Sequence, residues 1–416
     1  MNKKTHIPEI RFKNYRDKWE EKTLKDLSNS IEYGLNSSAT YYDGVHKYIR
    51  ITDIDDNSRK FISEKVTSPD IEFTPELENF KLQKNDLLFA RTGASVGKTY
   101  LYEEKDGEMY YAGFLIRARI KEDVSADFIF QQTLTEKYKQ FIAIASQRSG
   151  QPGVNGKEYG DWKLSSPSFQ EQSAIGSLFR TLDELLASYK DNLANYHSLK
   201  MTMLSKMFPK AGQTVPEIRL DGFESEWEVQ TLKELASFSK GNGYTKNDLV
   251  NSGEEIILYG RLYTNYQTVI SKVNTFVTTV KANAVISKGG EVIVPASGES
   301  AEDISRASVV EKSGVILGGD LNIIYPDEKK VDSIFLALTI SNGSQQKELI
   351  KRAQGKSVVH LRNNDLEKVV LHYPSMEEQR AIGSYFANLD NLVTSYKEKI
   401  SQLETLKKKL LQDMFI

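Results

Sequence analysis

The chain has 416 residues, 55 Lys plus Arg against 57 Asp plus Glu, and no cysteine. That composition excludes disulfide frameworks, zinc–thiolate sites and thiol nucleophiles. A formal net charge of −2 is not that of a protein holding nucleic acid by bulk positive charge, although sequence does not show how charge is sorted onto faces. No apolar run approaches the roughly 18 residues of a membrane span, and Met1–His6 does not lead into a signal-peptide core, so a soluble cytoplasmic protein is expected.

The chain is written twice. Pro8-Glu9-Ile10-Arg11, Trp19-Glu20, Thr23-Leu24-Lys25 and Leu27 return at an offset of 208 as Pro216-Glu217-Ile218-Arg219, Trp227-Glu228, Thr231-Leu232-Lys233 and Leu235, with 10 of 20 positions identical. Residues 28–166, which follow the first copy, read as a mixed domain of short strands and a few short helices. Within it, Asp86-Leu87-Leu88-Phe89 and Thr92-Gly93 match Glu291-Val292-Ile293-Val294 and Ser297-Gly298 of residues 236–373. Tyr48-Ile49-Arg50 is matched to Tyr259-Gly260-Arg261, Gly113 to Gly318, Arg117 to Asn322, and Asp127 with Ile129-Phe130 to Asp332 with Ile334-Phe335. The two inserts are otherwise dissimilar, so one fold with two different surfaces is expected.

Pro167–Phe208 recurs without a gap as Pro374–Phe415, 20 of 42 identical at an offset of 207. Both copies begin with Pro followed by S-x-x-E (Ser168–Glu171, Ser375–Glu378), the pattern of a helix-capping box. Apolar residues then fall at alternating spacings of four and three: Ile175, Phe179, Leu182, Leu186, Tyr189, Leu193, Tyr196, and Ile382, Phe386, Leu389, Val393, Tyr396, Ile400, Leu403. This seam predicts two long helices, each about 60 Å, packed as an antiparallel coiled coil with pseudo-two-fold symmetry. The expected architecture is α+β: a first recognition-type domain at 1–166, a long helix at 167–208, a linker at 209–215, a second such domain at 216–373 and a second long helix at 374–416.

No catalytic constellation is legible in the sequence. Gly93-Ala94-Ser95-Val96-Gly97-Lys98-Thr99 resembles a phosphate-binding loop, but has three residues between its glycines where that motif needs four. The five histidines show no metal spacing, so no catalytic or metal residues are expected. Candidate nucleic-acid contacts are Arg91, Thr92 and Lys98 in and around this loop, Lys98 being offered to a phosphate. Arg117 and Arg119 share one face of a strand, and Asn322 is their counterpart. Arg148, Gln151 and Asn155 lie in a polar Gly/Pro loop; Lys351, Arg352, Gln354, Lys356, His360 and Arg362 form the matching stretch of the second head. Arg, Gln and Asn suit bidentate contact with guanine or adenine. Arg50 and Arg261, shared between heads, suit phosphate or the fold. Each of these residues also reads as an ordinary surface charge or a structural turn.

The P-E-I-R-x(7)-W-E opening before each head, the D-L-L-F-A-R-T-G run at 86–93 and P-S-x-x-E-Q-x-A-I-G at the start of each long helix resemble the specificity subunits of type I restriction-modification systems over the whole chain. The resemblance implies a non-catalytic bacterial or archaeal protein whose two target recognition domains each read half of a split, asymmetric double-stranded DNA sequence. It implies helices that set the spacing and dock two modification (methyltransferase) subunits, joined by two restriction (nuclease/translocase) subunits. It implies no cofactor in this chain, the partners using S-adenosylmethionine for adenine methylation and ATP with Mg for restriction. The competing reading is a coiled-coil scaffold whose two heads bind proteins.

Overall fold

The computed structural model describes residues 7–147, 150–210, 212–355 and 358–416. It divides into two compact units, residues 1–190 with 398–416, and residues 191–397. Both are mixed α+β.

In the first unit, strands Ser28–Tyr33, Leu115–Ile120, Asp86–Ala90 and Thr99–Leu101 form an antiparallel sheet in that order. The central strand Asp86–Ala90 is buried at every residue, as its apolar run requires of a strand covered on both faces. Ser125 caps helix Ala126–Gln132 by accepting from the Phe128 amide at 3.3 Å, and that helix sets Phe128 edge-on to Trp19 with centroids 5.7 Å apart. The second unit repeats the plan, with strands Ala236–Lys240, Leu321–Pro326, Glu291–Pro295 and Ser308–Val310 antiparallel and Val269–Ile270 added in parallel. There Asp332 caps helix Ser333–Ile340, and Phe335 meets Trp227 at 5.8 Å.

The predicted long helices are present as Phe169–Lys206 and Met376–Asp413. In the first unit the start of one meets the end of the other. Asp183 pairs with Lys407 at 2.5 Å, Lys190 with Glu404 at 2.7 Å, and Phe179 packs on Phe415 at 5.7 Å. Rising numbers on one helix meet falling numbers on the other, so the segments run antiparallel. In the second unit Lys200 pairs with Asp390, the Tyr196 and Tyr396 rings lie 5.2 Å apart, and Phe208 stacks on Phe386 at 6.1 Å. Asp183 and Asp390, and Lys200 and Lys407, are each separated by the 207 of the sequence repeat. Met414 and Phe415 are buried in the first core, and Met207 and Phe208 in the second.

The shared motifs have a common structural use. Arg11 donates from Nε and Nη2 to the two carboxylate oxygens of Glu171 at 2.7 and 2.8 Å, and Arg219 does the same to Glu378 at 2.6 Å for each. Hydrogen bonding to the carboxylate raises both arginines' pKa above its ordinary value. The expected reciprocal capping box does not form through the glutamate side chains. Ser375 does accept from the Glu378 amide at 3.4 Å, but both glutamate side chains turn to arginine, which satisfies a buried charge as a backbone amide could not. The next residue ties in the head. Gln172 accepts from the Ser125 amide and donates to the Pro167 carbonyl, while Gln379 accepts from the Asp332 amide and donates to the Pro374 carbonyl.

Arg219→Met leaves the fully buried Glu378 without its cation and is expected to cost about 3–5 kcal/mol. Adding Glu378→Leu should restore most of that loss. Equilibrium denaturation of both variants measures the effect, and an unchanged midpoint for Arg219→Met would refute the assignment.

Candidate nucleic-acid interface

In each unit the loop after the central strand meets the loop before a short helix. In the first head Val154 donates to the Arg91 carbonyl at 2.9 Å, Gly93 to the Pro152 carbonyl at 3.0 Å, and Thr92 bridges Gly153. In the second head Leu361 donates to the Ala296 carbonyl at 3.0 Å, and Ser297 and Gly298 pair with His360 and Val359. Asn155 and Arg362 then occupy equivalent N-cap positions, of helices Gly156–Gly160 and Asn363–Leu366. The Asn155 side chain accepts from the Glu158 amide at 2.9 Å, leaving its amide nitrogen for other use.

The fold thus gathers Arg91, Thr92, Gln151 and Asn155 on one composite surface, and Gln354, His360 and Arg362 on its counterpart. Gln354 and His360 are held by reciprocal backbone bonds of 3.1 and 2.8 Å, and both side chains are exposed. Lys351 is exposed at the end of the preceding helix Gly343–Arg352, whereas Arg352 is engaged by Glu348 at 2.6 Å. Arg148 and Lys356 lie outside the described residues.

Five candidates are removed by their surroundings. Lys98, 7% exposed, points inward, donating to the Ile54 carbonyl at 3.0 Å and pairing with Asp56 at 2.6 Å. Its loop is shaped by packing: Gly97 has φ +84°, and a Cβ there would lie 2.7 Å from Ile142. Arg117 and Arg119 do share a face, but it is the face of Asp86. Arg119 makes bonds of 2.8 and 2.9 Å to the Asp86 carboxylate, and Arg117, 2% exposed, pairs with Glu32 and donates to the Asn79 carbonyl at 2.9 Å. The Asp86 hydrogen bonds raise the Arg119 pKa. Asn322 is wholly buried and donates to the Leu361 carbonyl at 2.8 Å. Arg261 braces its own loop through Asn274, Gln267 and the Lys272 carbonyl, burial pushing its pKa down. Arg50 is half-exposed, bonded to Asp53 at 2.8 Å from both Nε and Nη2, and borders a hollow with Tyr41, Lys65 and Thr67.

Several of the expected correspondences also shift. Ala90 pairs with Leu115 as Pro295 pairs with Leu321, so Asn322 corresponds to Ile116 and Arg117 to Ile323. A one-residue slip changes which face a side chain occupies. Ile49 receives the Ala112 amide as Ile257 receives that of Gly318, which makes Leu258 the equivalent of Arg50, whereas Arg261 begins a short helix further on. The capping residues pair Ser125 with Asp332, and thus Phe128 with Phe335, in place of Asp127 with Asp332.

Two residues of the first surface were not anticipated. The Arg91 guanidinium lies 5.1 Å from the Tyr33 ring centroid and 5.9 Å from that of Phe114, which is 62% exposed. Aromatic residues in a strand-rich segment read as core; the only hint was the position of Phe114 directly after Gly113. Among the described residues no group of His, Asp and Glu could hold a metal ion, and no helix is long and apolar enough to cross a membrane.

Together these features define a duplicated α+β domain that presents one composite loop surface per copy and is tied each time to a long helix. The type I restriction modification DNA specificity domain matches residues 16–196 and again 224–405, and the chain belongs to that family. It is 21% identical over 342 residues to the type I restriction enzyme MjaVIII specificity subunit of Methanocaldococcus jannaschii, covering 79% of this chain and 78% of the relative. It is 23% identical over 425 residues to the putative MjaX specificity subunit of the same organism, covering 98% and 94%. The crystal structure of a type I restriction-modification system S subunit from M. genitalium has the same fold, with a TM-score of 0.63, 15% identity and 99% of each chain covered.

Because Lys98 is spent inside the fold, Lys98→Met should lower the stability of the first unit by about 1–3 kcal/mol while leaving the salt dependence of DNA binding unchanged. Thermal denaturation and a salt titration separate the two effects. A flattened salt slope at unaltered stability would return Lys98 to the phosphate contacts.

Proposed function

We propose that this chain is the DNA-specificity subunit of a type I restriction-modification complex, in which each head reads one half of a bipartite, asymmetric target. The observation that carries this reading is the contrast within the repeat. Arg11–Glu171 and Arg219–Glu378, the glutamine ties and the helix-end plugs recur in both units, while the composite loop surfaces do not. Arg91 stands where the second head has Ala296, and Asn155 where it has Arg362. Side chains of this kind read base edges, whereas phosphate contacts only position.

The chain is non-catalytic in this reading and works in the bacterial or archaeal cytoplasm. Two modification subunits bind it, and two restriction subunits complete the nuclease. S-adenosylmethionine serves adenine methylation and ATP with Mg serves restriction, all on the partners. Native mass spectrometry of the reconstituted modification complex should give one copy of this chain with two modification subunits. A stable one-to-one complex would overturn that stoichiometry.

Replacing residues 28–166 with the first head of another family member should change one half-site only. Mapping of methylated adenines in cells carrying the chimera reads this directly. Alteration of both half-sites, or of neither, would show that recognition is not divided between the heads.

A further inference from the structure

The first head carries an aromatic–cation–aromatic cluster whose equivalent positions in the second hold other residues. Phe114 sits on a turn whose backbone is pinned on three sides. Leu115 donates to the Ala112 carbonyl at 2.8 Å, Gly113 to the Leu35 carbonyl at 2.7 Å, and Arg91 to the Phe114 carbonyl at 3.0 Å. Ala112 and Leu115 on either side are buried, so the turn cannot swing the ring inward. Tyr33, 43% exposed, is fixed from the other side, its hydroxyl accepting from the Gly156 amide at 2.9 Å. Arg91 is held between the two rings with its carbonyl bonded to Val154, so the cluster belongs to the composite loop surface. The exposed Gln151 joins it, its side-chain nitrogen 3.2 Å from where a Cβ on Gly93 would stand.

The second head builds the same turn with other chemistry. Ala296 donates to the Asp320 carbonyl at 2.8 Å, which makes Asp320 the counterpart of Phe114. The Asp320 carboxylate accepts from the Ser297 hydroxyl at 3.2 Å. Strand pairing puts Lys240 opposite Asn322 as Tyr33 is opposite Ile116, so Tyr33, Arg91 and Phe114 become Lys240, Ala296 and Asp320.

We propose that Phe114 is a base-reading side chain of the first head, in apolar contact with the C5-methyl group of a thymine, while Arg91 engages the same DNA beside it. An exposed ring on a rigid turn, next to a cation and an amide, suits DNA: the thymine methyl is the apolar group on a base edge in the major groove, and the Arg91 guanidinium beside it suits the acceptors of a neighbouring base edge. The inference rests on the DNA-reading function proposed above and assigns one position of the first half-site to one side chain.

The test uses the complex with its modification subunits, in cells, with methylated adenines mapped genome-wide. Wild type gives the bipartite target, and exchange of residues 28–166 shows which half belongs to the first head. Phe114→Ala should then relax a single T·A position of that half, with discrimination there falling roughly three- to tenfold, and leave the other half intact. Phe114→Leu, which keeps an apolar tip, should retain the preference, and Phe114→Asp should lose it. On purified complex, replacing that thymine by uracil should weaken wild type and leave Phe114→Ala unaffected. An unchanged consensus for Phe114→Ala, an even loss at all sites, a change in the other half-site, or relaxation at a position other than T·A would each overturn the proposal. Absence of any bipartite preference in wild type would instead overturn the DNA-reading function itself.

Discussion

A carboxylate that water does not reach holds each unit together. Glu171 and Glu378 sit in the first turn of a long helix, where the helix dipole favours a negative charge, yet both are almost completely buried. Burial of an unpaired carboxylate is costly enough that the chain must supply a cation with fitting geometry, and the planar fork of Arg11 or Arg219 does so at both oxygens. The arginine stands at the opening of each unit and the glutamate some 160 residues later, so the pair also ties the two borders of a head. With Gln172 or Gln379 fixing the amide that begins the head's own helix, the direction in which the long helix leaves the head is set by two consecutive residues.

That arrangement explains why the rest of a head can differ. The frame needs the ion pair, the glutamine, a tryptophan against a phenylalanine, and a Met-Phe plug from the end of a helix. Their hydrogen bonds and ring contacts join them to the long helix and to the head's own helix. Between the frame and that surface lies a sheet whose backbone contacts are retained even where its side chains are not. A Cβ on Gly34 would fall 2.3 Å from the Ala112 carbonyl oxygen, and one on Gly241 would fall 1.9 Å from that of Gly318. The close approach of two backbones is kept, and the loops above it carry whatever side chains the surface needs.

The sequence made the frame legible because its signals are periodic or duplicated. Two helices of matched seam, two openings and two copies of Pro-Ser-x-x-Glu need no knowledge of contacts. What it did not make legible was the destination of charge. Arg117 and Arg119 alternate as surface residues of a half-exposed strand would, yet they face Asp86, the one carboxylate of an otherwise apolar strand. That lone aspartate was the available signal, and in the second head its counterpart Glu291 is met by the backbone amides of Lys288 and Gly289 in place of arginines. The capping glutamates were misread for the same reason, since a pattern shows that a carboxylate is present and not which donor reaches it. Matching the inserts by residue type failed because short insertions shift the register, by one residue at Arg117, by two at Asp127 and by three at Arg50, and even one residue is the difference between a buried and an exposed face.

The inward turn of these cations bears on how such a chain would hold DNA. Lys98, Arg117 and Arg119 count toward the basic total but are consumed by Asp56, Glu32 and Asp86, so they release no counterions from phosphate. In a nearly neutral chain, each internally paired cation leaves fewer for the backbone of a duplex. The composite surfaces are correspondingly mixed: one arginine between two rings and a glutamine in the first head, a histidine, an arginine and a carboxylate in the second. Surfaces of that kind discriminate between bases better than they supply affinity, because discrimination needs fitted polar and apolar groups and affinity needs many cations. In the function proposed above, selectivity lies in these heads and much of the phosphate neutralisation is left to partner subunits.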